Sequence, residues 1–489
     1  MDLEHNQANR GDSALVGTGV VNAIHPGSAL KQVEFRLFPL AGDSVNDLLG
    51  MMKLLRIQAV KNPDLTALSR KWFEVYQKRF GAGLGLMLVG SNSAELLREI
   101  DYAITGIPAA LEKKTDWQTP LGSYFTPNPL GNQGGICFVY PGAFNSYIGL
   151  GKDLFRYFPQ IKNWMKPLSS DLEYIFCERY LYPPDLASLT KEQLNELESA
   201  LTEDAIAMMT SGMAFSIVYT FILQQIFKVR GESALGYSLG EMSMLFATGV
   251  WVEGDKASKA LAESPLFNTQ LTGPMNAVRE AWGMALQETG RSQDLWANYV
   301  LMAQPERVMD ALNEETRVYL THINTPRQVV IAGDPSACRQ FIEKLKCSSL
   351  KAPFSYALHC DAMKSAYEEF RKLNIHPIEH WPDMRLYAAA DYDLYKLVPE
   401  EIAHQVAYSL CTHLDFPRLV QRAYTDGARI FIEVGAGGNC AKWIDDSLRG
   451  QPMLAMSINR KSTDDAEMLI RTLARLASHR ASVDLAPLY

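Results

Sequence analysis

The chain has 489 residues, of which 47% are hydrophobic and 21% are charged, and its formal net charge is −8. This length allows two or three domains, and the acidic balance argues against nucleic acid as a partner of the whole chain. The seven cysteines are scattered without a C-x-x-C pair, so we expect reduced thiols and no metal site. The polar first residues do not resemble a signal peptide, and no run reaches the roughly 18 apolar residues of a membrane span. We therefore expect a cytoplasmic protein without a membrane span.

The first 135 residues contain one predicted α/β domain. Residues 1–30 are polar and Gly-rich and are predicted to form a flexible arm, and the domain itself is predicted at 31–115. Its predicted elements are a strand at 33–40, a helix capped by Asp43 or Ser44, a helix at 66–80, a strand at 84–89 and a helix capped by Ser93. The Gly-rich run 81–85 precedes a strand instead of following one, so we interpret it as a turn and not as a dinucleotide-binding loop. Residues 116–135 hold several Pro, Gly and Asn and are predicted to be a linker.

The most informative motif is Gly236-Tyr237-Ser238-Leu239-Gly240. It follows an apolar strand pattern at 232–235 and precedes a helical stretch at 241–247. Strand, sharp turn and helix is the context of a nucleophile elbow, in which flanking glycines avoid steric clashes in a strained turn. The serine would then lie at a helix N-terminus, where free N–H groups stabilise a developing oxyanion. The alternative is a chance match in a loop.

The chain around this motif is predicted to form a large subdomain with an insert. The predicted segments are 136–298 and 351–459 for the large subdomain, 299–350 for the insert and 460–489 for a C-terminal segment. The large subdomain opens with an apolar strand at 136–140 and has a second buried strand at 429–435. The insert has the β-α-β-β-α order of a ferredoxin-like unit. The C-terminal segment begins with a helix from about 463 to 479.

A serine nucleophile needs a general base elsewhere in the chain. His359 is the leading candidate, because it lies where the chain returns from the insert to the large subdomain. His322, on an inner strand of the insert, is an alternative that would line a cleft. The histidines at 376, 380, 404 and 413 are interpreted as loop, surface or structural residues. Cys360 is not favoured as a nucleophile, since adjacent side chains point apart on most backbones.

Five motifs occur in an order that identifies a family resemblance. They are Val139-Tyr140-Pro141-Gly142 with Gly149 to Leu154, the Ser238 turn with Glu241, Asn324 to Gly333, Tyr356-Ala357-Leu358-His359, and Glu433-Val434-Gly435-Ala436-Gly437. Over about 136–459 the chain resembles the malonyl-CoA:acyl-carrier-protein acyltransferases, including the acyltransferase domains of polyketide and fatty-acid synthases. The sequence of residues 140–147 is most similar to that of the acyltransferase subunit of bacterial polyunsaturated-fatty-acid synthases. Residues 35–115 resemble the linker domain between ketosynthase and acyltransferase, and the chain is interpreted as a candidate fragment of a larger protein.

This resemblance implies a fold as well. It is an α/β-hydrolase-like acyltransferase core with a parallel sheet and a nucleophile elbow, joined by a ferredoxin-like small subdomain and an N-terminal α/β linker domain.

The resemblance also implies roles for single residues. Ser238 is the acyl-accepting nucleophile and His359 its general base, in a Ser-His dyad. The family orients this histidine with a backbone carbonyl, which an ungapped count from Glu433 places on Ser409. The expected oxyanion donors are the backbone N–H groups of Leu239 and Ala143. The expected substrate-pocket residues are Tyr237, Asn324, Glu263 and Tyr356.

One departure from the family pattern bears on the substrate. Malonyl-specific members hold the substrate's free carboxylate with an arginine after the elbow, and an ungapped count from Ser238 places Glu263 there. A carboxylate at this point would repel malonate. The alternatives are that Lys259 or Arg279 reaches the pocket. We therefore expect an acyl group without a free carboxylate, such as a medium or long fatty acyl chain.

Three functions follow as hypotheses. The leading one is acyl transfer between thioesters of CoA or acyl carrier protein through an acyl-Ser238 intermediate, with no bound cofactor. The acyl carrier protein, acyl-CoA and other synthase modules are the expected partners. The second is thioester hydrolysis, which would use the same dyad. The third is a catalytically silent docking domain, against which the presence of both Ser238 and His359 argues.

Overall fold

The computed structural model describes residues 34–62 and 64–489, and these residues form three β-sheets surrounded by helices. The α/β composition with a parallel sheet agrees with the fold expected from the sequence. The predicted arm at 1–30 lies outside the described residues.

The first domain is a four-stranded antiparallel sheet with three helices. Its strands are β1 (Arg36–Gly42), β2 (Leu84–Gly90), β3 (Trp117–Gln118) and β4 (Tyr124–Phe125), in the order β1-β2-β4-β3. Its helices are α1 (Val45–Lys61), α2 (Leu65–Gln77) and α3 (Ser93–Lys113). The predicted linker 116–135 is wrong in part, because β3 and β4 extend this sheet.

Two helix caps in the first domain show how local polar groups set the helix ends. Ser44 caps α1 and, together with Asp47, forms a capping box. The predicted cap of α3 is Ser93, but the observed cap is Asn92, whose side chain accepts from the Glu95 backbone N–H. Asn, like Ser, satisfies an otherwise unpaired N–H of the first turn, and the sequence offers both residues side by side.

The central sheet is entirely parallel. Its strands are β5 (Gly135–Tyr140), β6 (Ser233–Gly236), β11 (Arg385–Tyr387), β13 (Ala428–Glu433) and β14 (Leu454–Ser457), in the order β11-β6-β5-β13-β14. β5 and β6 are buried along their whole length, as is usual for a parallel sheet covered on both faces. The carboxyl ends of β5, β6 and β13 lie at one edge of the sheet, which is where ligand sites form in open parallel sheets.

Helices cover this sheet on both sides. The helices that precede residue 297 in sequence are α4 (Leu154–Tyr157), α5 (Ile161–Met165), α6 (Leu172–Ile175), α7 (Glu178–Leu181), α8 (Lys191–Glu203), α9 (Ala205–Phe221), α10 (Gly240–Ala247), α11 (Gly254–Glu263), α12 (Asn276–Ala281) and α13 (Ser292–Leu295). The helices that follow residue 351 are α16 (Tyr367–Leu373), α17 (Pro399–Cys411), α18 (Phe416–Thr425), α19 (Asn439–Ser447) and α20 (Asp465–Ser478). Two π-helical turns, Ile222–Ile226 and Leu266–Gln270, follow α9 and α11.

One helix among the described residues is long and apolar enough to cross a membrane. It is α9 together with the π-helical turn that follows it, Ala205–Ile226, and 78% of its most apolar window is buried inside the protein. Polar residues such as Thr210, Ser211 and Thr220 interrupt the run in sequence, so no uninterrupted apolar stretch is apparent there. The burial identifies α9 as a core helix of this fold.

The third sheet is small and lies in the segment predicted as an insert. It contains β7 (Ala297–Leu301), β8 (Val318–Thr325), β9 (Gln328–Gly333), β10 (Ser349–Lys351) and β12 (Leu414–Asp415), in the order β10-β7-β9-β8-β12. Its two helices are α14 (Pro305–Leu312) and α15 (Pro335–Leu345). The predicted bounds 299–350 are slightly too narrow, and β12 comes from the later part of the large subdomain. This strand pairs in parallel with β8 at Leu414 and His322, which ties the small sheet to the core.

The C-terminal segment joins the first domain to the core. Helix α20 begins at Asp465 after an Asp464 cap and packs against β2 and β4. The Ser478 hydroxyl donates to the Gly85 carbonyl at 2.7 Å and accepts from the Thr126 N–H at 3.1 Å. Beyond the helix, the Tyr489 ring stacks on Phe73 with ring centres 4.2 Å apart.

Candidate active site

Ser238 lies in a sharp turn between β6 and α10. Its φ is 56°, in the left-handed region that non-glycine residues rarely adopt. A Cβ on Gly236 would stand 2.1 Å from the Glu241 nitrogen, and one on Gly240 would stand 2.0 Å from the Tyr140 carbonyl oxygen. Both glycines are therefore required by close backbone approach, and the turn places the serine at the carboxyl edge of the parallel sheet.

His359 lies beside this serine. Its Nε2 is 2.7 Å from the Ser238 Oγ, and its Nδ1 is 2.6 Å from the carbonyl oxygen of Ser409 in α17. A carbonyl only accepts, so Nδ1 carries a proton and donates it to Ser409. Nε2 is then the unprotonated nitrogen that accepts from the serine hydroxyl. The backbone of His359 is also left-handed, with a φ of 57°.

Burial controls the charge of this histidine. His359 is 4% exposed. Burial lowers its pKa to about 4, although the Ser409 carbonyl acts in the opposite direction. The imidazole is therefore neutral near pH 7, which is the state that can take a proton from Ser238.

The two predicted oxyanion donors border the same cavity as Ser238. Leu239 and Ala143 both line it, and within the described chain neither backbone N–H donates to another protein group. Free amides beside a nucleophilic oxygen are the arrangement that stabilises an oxyanion. The next residue, Phe144, has a φ of 66°, so three residues of this small region have left-handed backbones.

The cavity beside Ser238 is apolar. Its apolar side chains are Phe144, Met209, Leu239, Met242, Phe267, Leu271, Tyr356, Leu358, Phe370, Val406 and Leu410. Among the residues that the structure describes, no lysine or arginine lines it. Its one acidic residue is Glu241, which accepts from the Ala389 N–H at 2.8 Å and from the Tyr395 hydroxyl. Burial raises the pKa of Glu241 to about 7.

The predicted position of Glu263 in the pocket is wrong. Glu263 is the last residue of α11, is exposed and does not line the cavity. The chain reaches the cavity only afterwards, at Phe267 in the π-helical turn and at Leu271. The ungapped count from Ser238 therefore places position 263 in the cavity, where the structure has Phe267 and Leu271 instead. Lys259 is exposed too, and the Arg279 guanidinium donates to the Pro274 carbonyl at 2.7 Å.

Two further pocket predictions are corrected. Tyr237 and Asn324 do not line the cavity, whereas Tyr356 does. The Tyr237 hydroxyl donates to the Asn324 side-chain oxygen at 2.7 Å, and the Tyr237 ring packs on Phe416 and Trp443. Tyr237 points away from the cavity because successive residues of the sharp turn face different sides. It belongs to the contact between the central sheet and the small sheet.

His322, the alternative base, lies close to the site behind His359. Its ring centre lies 4.7 Å from that of His359 and 5.4 Å from that of Tyr237. Burial first, and then the neighbouring His359, holds the pKa of His322 well below its ordinary range. His322 therefore supplies a neutral packing partner for His359. Its position on an inner strand is the sequence signal for a place near the cleft.

Cysteine and metal chemistry find no support in the described residues. Cys360 is buried, and burial raises the pKa of its thiol to about 12, which disfavours the nucleophilic thiolate. Across residues 34–62 and 64–489, no group of three or more His, Cys, Asp or Glu side chains is placed to hold a metal ion.

The fold is that of acyltransferase domains in solved structures. The acyltransferase domain from module 8 of the salinomycin polyketide synthase superposes with a TM-score of 0.69 at 15% identity, covering 92% of this chain and 97% of that domain. No family model matches the chain.

Two curated relatives are similar in sequence. One is a subunit of the polyunsaturated fatty acid synthase of Thraustochytrium sp., 27% identical over 424 residues, which cover 83% of this chain and 20% of the relative. The other is the malonyl CoA-acyl carrier protein transacylase of Bacillus subtilis, 24% identical over 348 residues, which cover 69% of this chain and 97% of the relative. The chain thus spans about a fifth of the Thraustochytrium protein. The predicted resemblance to synthase acyltransferase domains and to malonyl-CoA:acyl-carrier-protein transacylases is confirmed.

Proposed function

We propose that the chain is an acyltransferase of a polyunsaturated-fatty-acid or polyketide-type synthase. It moves an acyl group between thioesters of CoA or acyl carrier protein through an acyl-Ser238 intermediate. The observation that carries the proposal is the Ser238–His359–Ser409 arrangement, with distances of 2.7 and 2.6 Å, at the edge of an acyltransferase-type sheet.

Each step of the reaction has a candidate group. Neutral His359 takes the Ser238 proton as the Oγ attacks the thioester carbonyl. The backbone N–H groups of Leu239 and Ala143 stabilise the tetrahedral oxyanion. His359 then protonates the leaving thiolate, and the acyl group stays on Ser238 until a second thiol attacks by the same route.

In this proposal the Ser238 turn is a nucleophile elbow and the small sheet is a ferredoxin-like subdomain. The split β-α-β order of β7 to β10 supports the second interpretation.

The proposed acyl group has no free carboxylate. The cavity beside Ser238 offers apolar side chains and no cation among the described residues, and its one carboxyl group belongs to Glu241. A malonyl carboxylate buried there without a partner would cost about 2–5 kcal/mol. Two adaptable methionines, Met209 and Met242, give an apolar chain of varied length a wall that can adjust.

The proposed partners follow from the same reaction. The substrates are acyl-CoA or an acyl carrier protein with its phosphopantetheine arm, and no resident cofactor takes part. The other modules of a synthase are proposed to surround the chain in a cytoplasmic assembly.

Intact-protein mass spectrometry with acetyl-, malonyl-, palmitoyl- and polyunsaturated acyl-CoA tests the proposal. We expect a fatty acyl adduct on the wild type, at least about 30-fold less malonyl adduct, and no adduct on Ser238→Ala. Ser349→Ala, at a serine on the exposed edge strand β10, is the matched control and should load normally. A dominant malonyl adduct would contradict the substrate proposal and leave the transferase proposal standing. Free acid without an adduct would favour hydrolysis.

A further inference from the structure

Three aromatic rings form a stack at one wall of the catalytic cavity. The Phe144 ring lies 4.3 Å from Phe354 at an interplanar angle of 12°, and 4.9 Å from Tyr356 at 16°. Phe144 follows the oxyanion candidate Ala143, while Phe354 and Tyr356 precede His359. The stack therefore links the two chain segments that flank Ser238.

The backbone of Phe144 is held in an unfavourable conformation. Its φ of 66° is an outlier for a bulky side chain and raises the energy of the folded chain locally. Such strain persists only where surrounding contacts impose it. In this conformation the Phe144 ring contacts the rings of Phe354 and Tyr356.

The rings of the stack border two cavities of different character. Phe144 and Tyr356 line the apolar cavity that contains Ser238 and His359. Phe354 and Tyr356 line a second cavity of about 730 Å³ that opens to solvent. The polar walls of the second cavity include Glu203, Asp204, Asn268, Arg291 and Gln293. Tyr356 therefore borders both cavities, Phe144 borders the cavity of the reacting serine, and Phe354 borders the cavity that opens to solvent.

An acyl-enzyme in the catalytic cavity is exposed to a competing reaction. A water oxygen can attack the acyl carbonyl while His359 Nε2 takes the water proton. The bond between the acyl carbon and the Ser238 Oγ then breaks, His359 returns the proton to that oxygen, and a free acid leaves. Transfer differs only in that a thiol takes the place of water, so access of water decides the outcome.

We infer that the Phe144–Phe354–Tyr356 stack is a water barrier that protects the acyl-Ser238 intermediate and makes the site a transferase instead of a hydrolase. Phe144 is its central residue, because its two ring distances of 4.3 and 4.9 Å are shorter than the 6.0 Å between Phe354 and Tyr356. This inference rests on the proposed acyl-Ser238 intermediate and adds the residues that determine its fate.

The test is Phe144→Gly, because glycine adopts the left-handed backbone without strain and removes only the ring. The protein is loaded from palmitoyl-CoA, freed of excess donor and followed by intact mass. Phe144 lines the Ser238 cavity, so the readout is not the loading rate but the half-life of the adduct once it has formed, which we expect to shorten by about tenfold or more. In water enriched in ¹⁸O, the released acid should carry one ¹⁸O atom.

Two control variants keep the rings. Phe144→Tyr retains the stack, so its adduct should keep the long half-life of the wild type. Tyr356→Phe removes only a hydroxyl whose two acceptors lie 3.5 Å away and keeps the ring, so the half-life of its adduct, once formed, should equal that of the wild type. A further test variant, Phe354→Ala, opens the barrier from the solvent side without touching the Ser238 cavity, so it should shorten the half-life even if Phe144→Gly folds poorly.

The outcomes distinguish the two proposals. A loaded Phe144→Gly and a loaded Phe354→Ala with the wild-type half-life would overturn the barrier. A half-life shortened equally in Tyr356→Phe would also overturn it, since that variant keeps the ring. Failure of the wild type to load any acyl donor would instead overturn the acyl-Ser238 proposal on which the barrier rests.

Discussion

At the scale of single residues, the site depends on a histidine that stays neutral. The Ser409 carbonyl fixes the proton on Nδ1, and burial opposes a second proton on Nε2. Many enzymes use a carboxylate to orient the histidine, which stabilises its charged form. A carbonyl orients the ring with less electrostatic support, so in the proposed reaction His359 holds a second proton only while Ser238 reacts.

The pH dependence of loading tests this arrangement. Because the His359 pKa is about 4, the rate of Ser238 loading should be nearly constant from pH 8 to about 5 and fall tenfold per unit below about 4. The measurement is single-turnover loading from palmitoyl-CoA, with circular dichroism at each pH as the control for folding. A midpoint near the ordinary value of 6.5 would contradict a buried neutral base.

The same pKa shift affects stability, and its sign is fixed. The folded-state pKa of about 4 lies below 6.5, so the unfolded chain binds the proton more tightly. Stability from burial of neutral His359 is therefore complete above about pH 6.5 and is lost progressively as pH falls towards 4.

At the scale of elements, short polar signals predicted the starts of the three first-domain helices to within one residue. The expected cap of α3 is Ser93, and the observed cap is Asn92, which accepts from the Glu95 N–H at 2.9 Å. The Ser91 N–H also donates to the Glu95 carboxylate at 3.0 Å. Local chemistry predicted the helix, and only the backbone conformation selected between two adjacent capping residues.

Substitution of the two candidate caps separates them. Asn92→Ala should lower the free energy of unfolding by about 1 kcal/mol, because the Glu95 N–H loses its acceptor. Ser93→Ala should change it by less than about 0.5 kcal/mol, since Ser93 is already inside the helix. Urea unfolding followed by circular dichroism measures both. Equal losses of unfolding free energy in the two variants would contradict the assignment of Asn92 as the cap.

Strand β12 could not be predicted from the pattern of apolar and polar residues in the sequence. Leu414–Asp415 has only two residues, so no alternation of apolar and polar side chains marks it. It becomes a strand because β8 offers a free edge beside it, at His322 and Ile323. Strands β3 and β4, also of two residues each, fall within the predicted linker for the same reason.

At the scale of the whole molecule, the last residue of the described chain packs against the first domain. Tyr489 stacks on Phe73, and its hydroxyl donates to the Leu37 carbonyl at 2.8 Å. The Arg70 guanidinium donates to the Tyr489 carbonyl at 2.9 Å. These contacts, together with α20, join segments more than 400 residues apart in sequence. We therefore expect the first domain and the core to unfold together.

Tyr489→Ala tests this connection. Loss of the stacked ring and the hydroxyl bond should lower the free energy of unfolding by about 1–3 kcal/mol. Tyr489→Phe, which keeps the ring, should lose no more than about 1.5 kcal/mol. Guanidinium unfolding monitored by tryptophan fluorescence and by circular dichroism measures the change. A wild-type transition that separates into two steps would contradict joint unfolding.

The sequence alone determined features that depend on neighbouring residues. The glycines around Ser238 predict a sharp turn because no other residue fits the close backbone approach at 236 and 240. The apolar patterns at 136–140 and 232–235 predict strands, and the family resemblance implies the parallel sheet. Ordered motifs then supplied the family resemblance and named the serine, the histidine and the Ser409 carbonyl as candidates.

Only the tertiary structure decided what surrounds them. Ser238 and His359 are 121 residues apart, and their side chains approach to 2.7 Å only in the folded chain. Glu263 was misplaced because an ungapped count assumes the spacing of the family, whereas in this chain the cavity is lined further along, by Phe267 and Leu271. The aromatic barrier joins Phe144 to residues more than 200 positions later. Contacts of this kind carry no local pattern, because side chains from distant segments meet only once the core has formed.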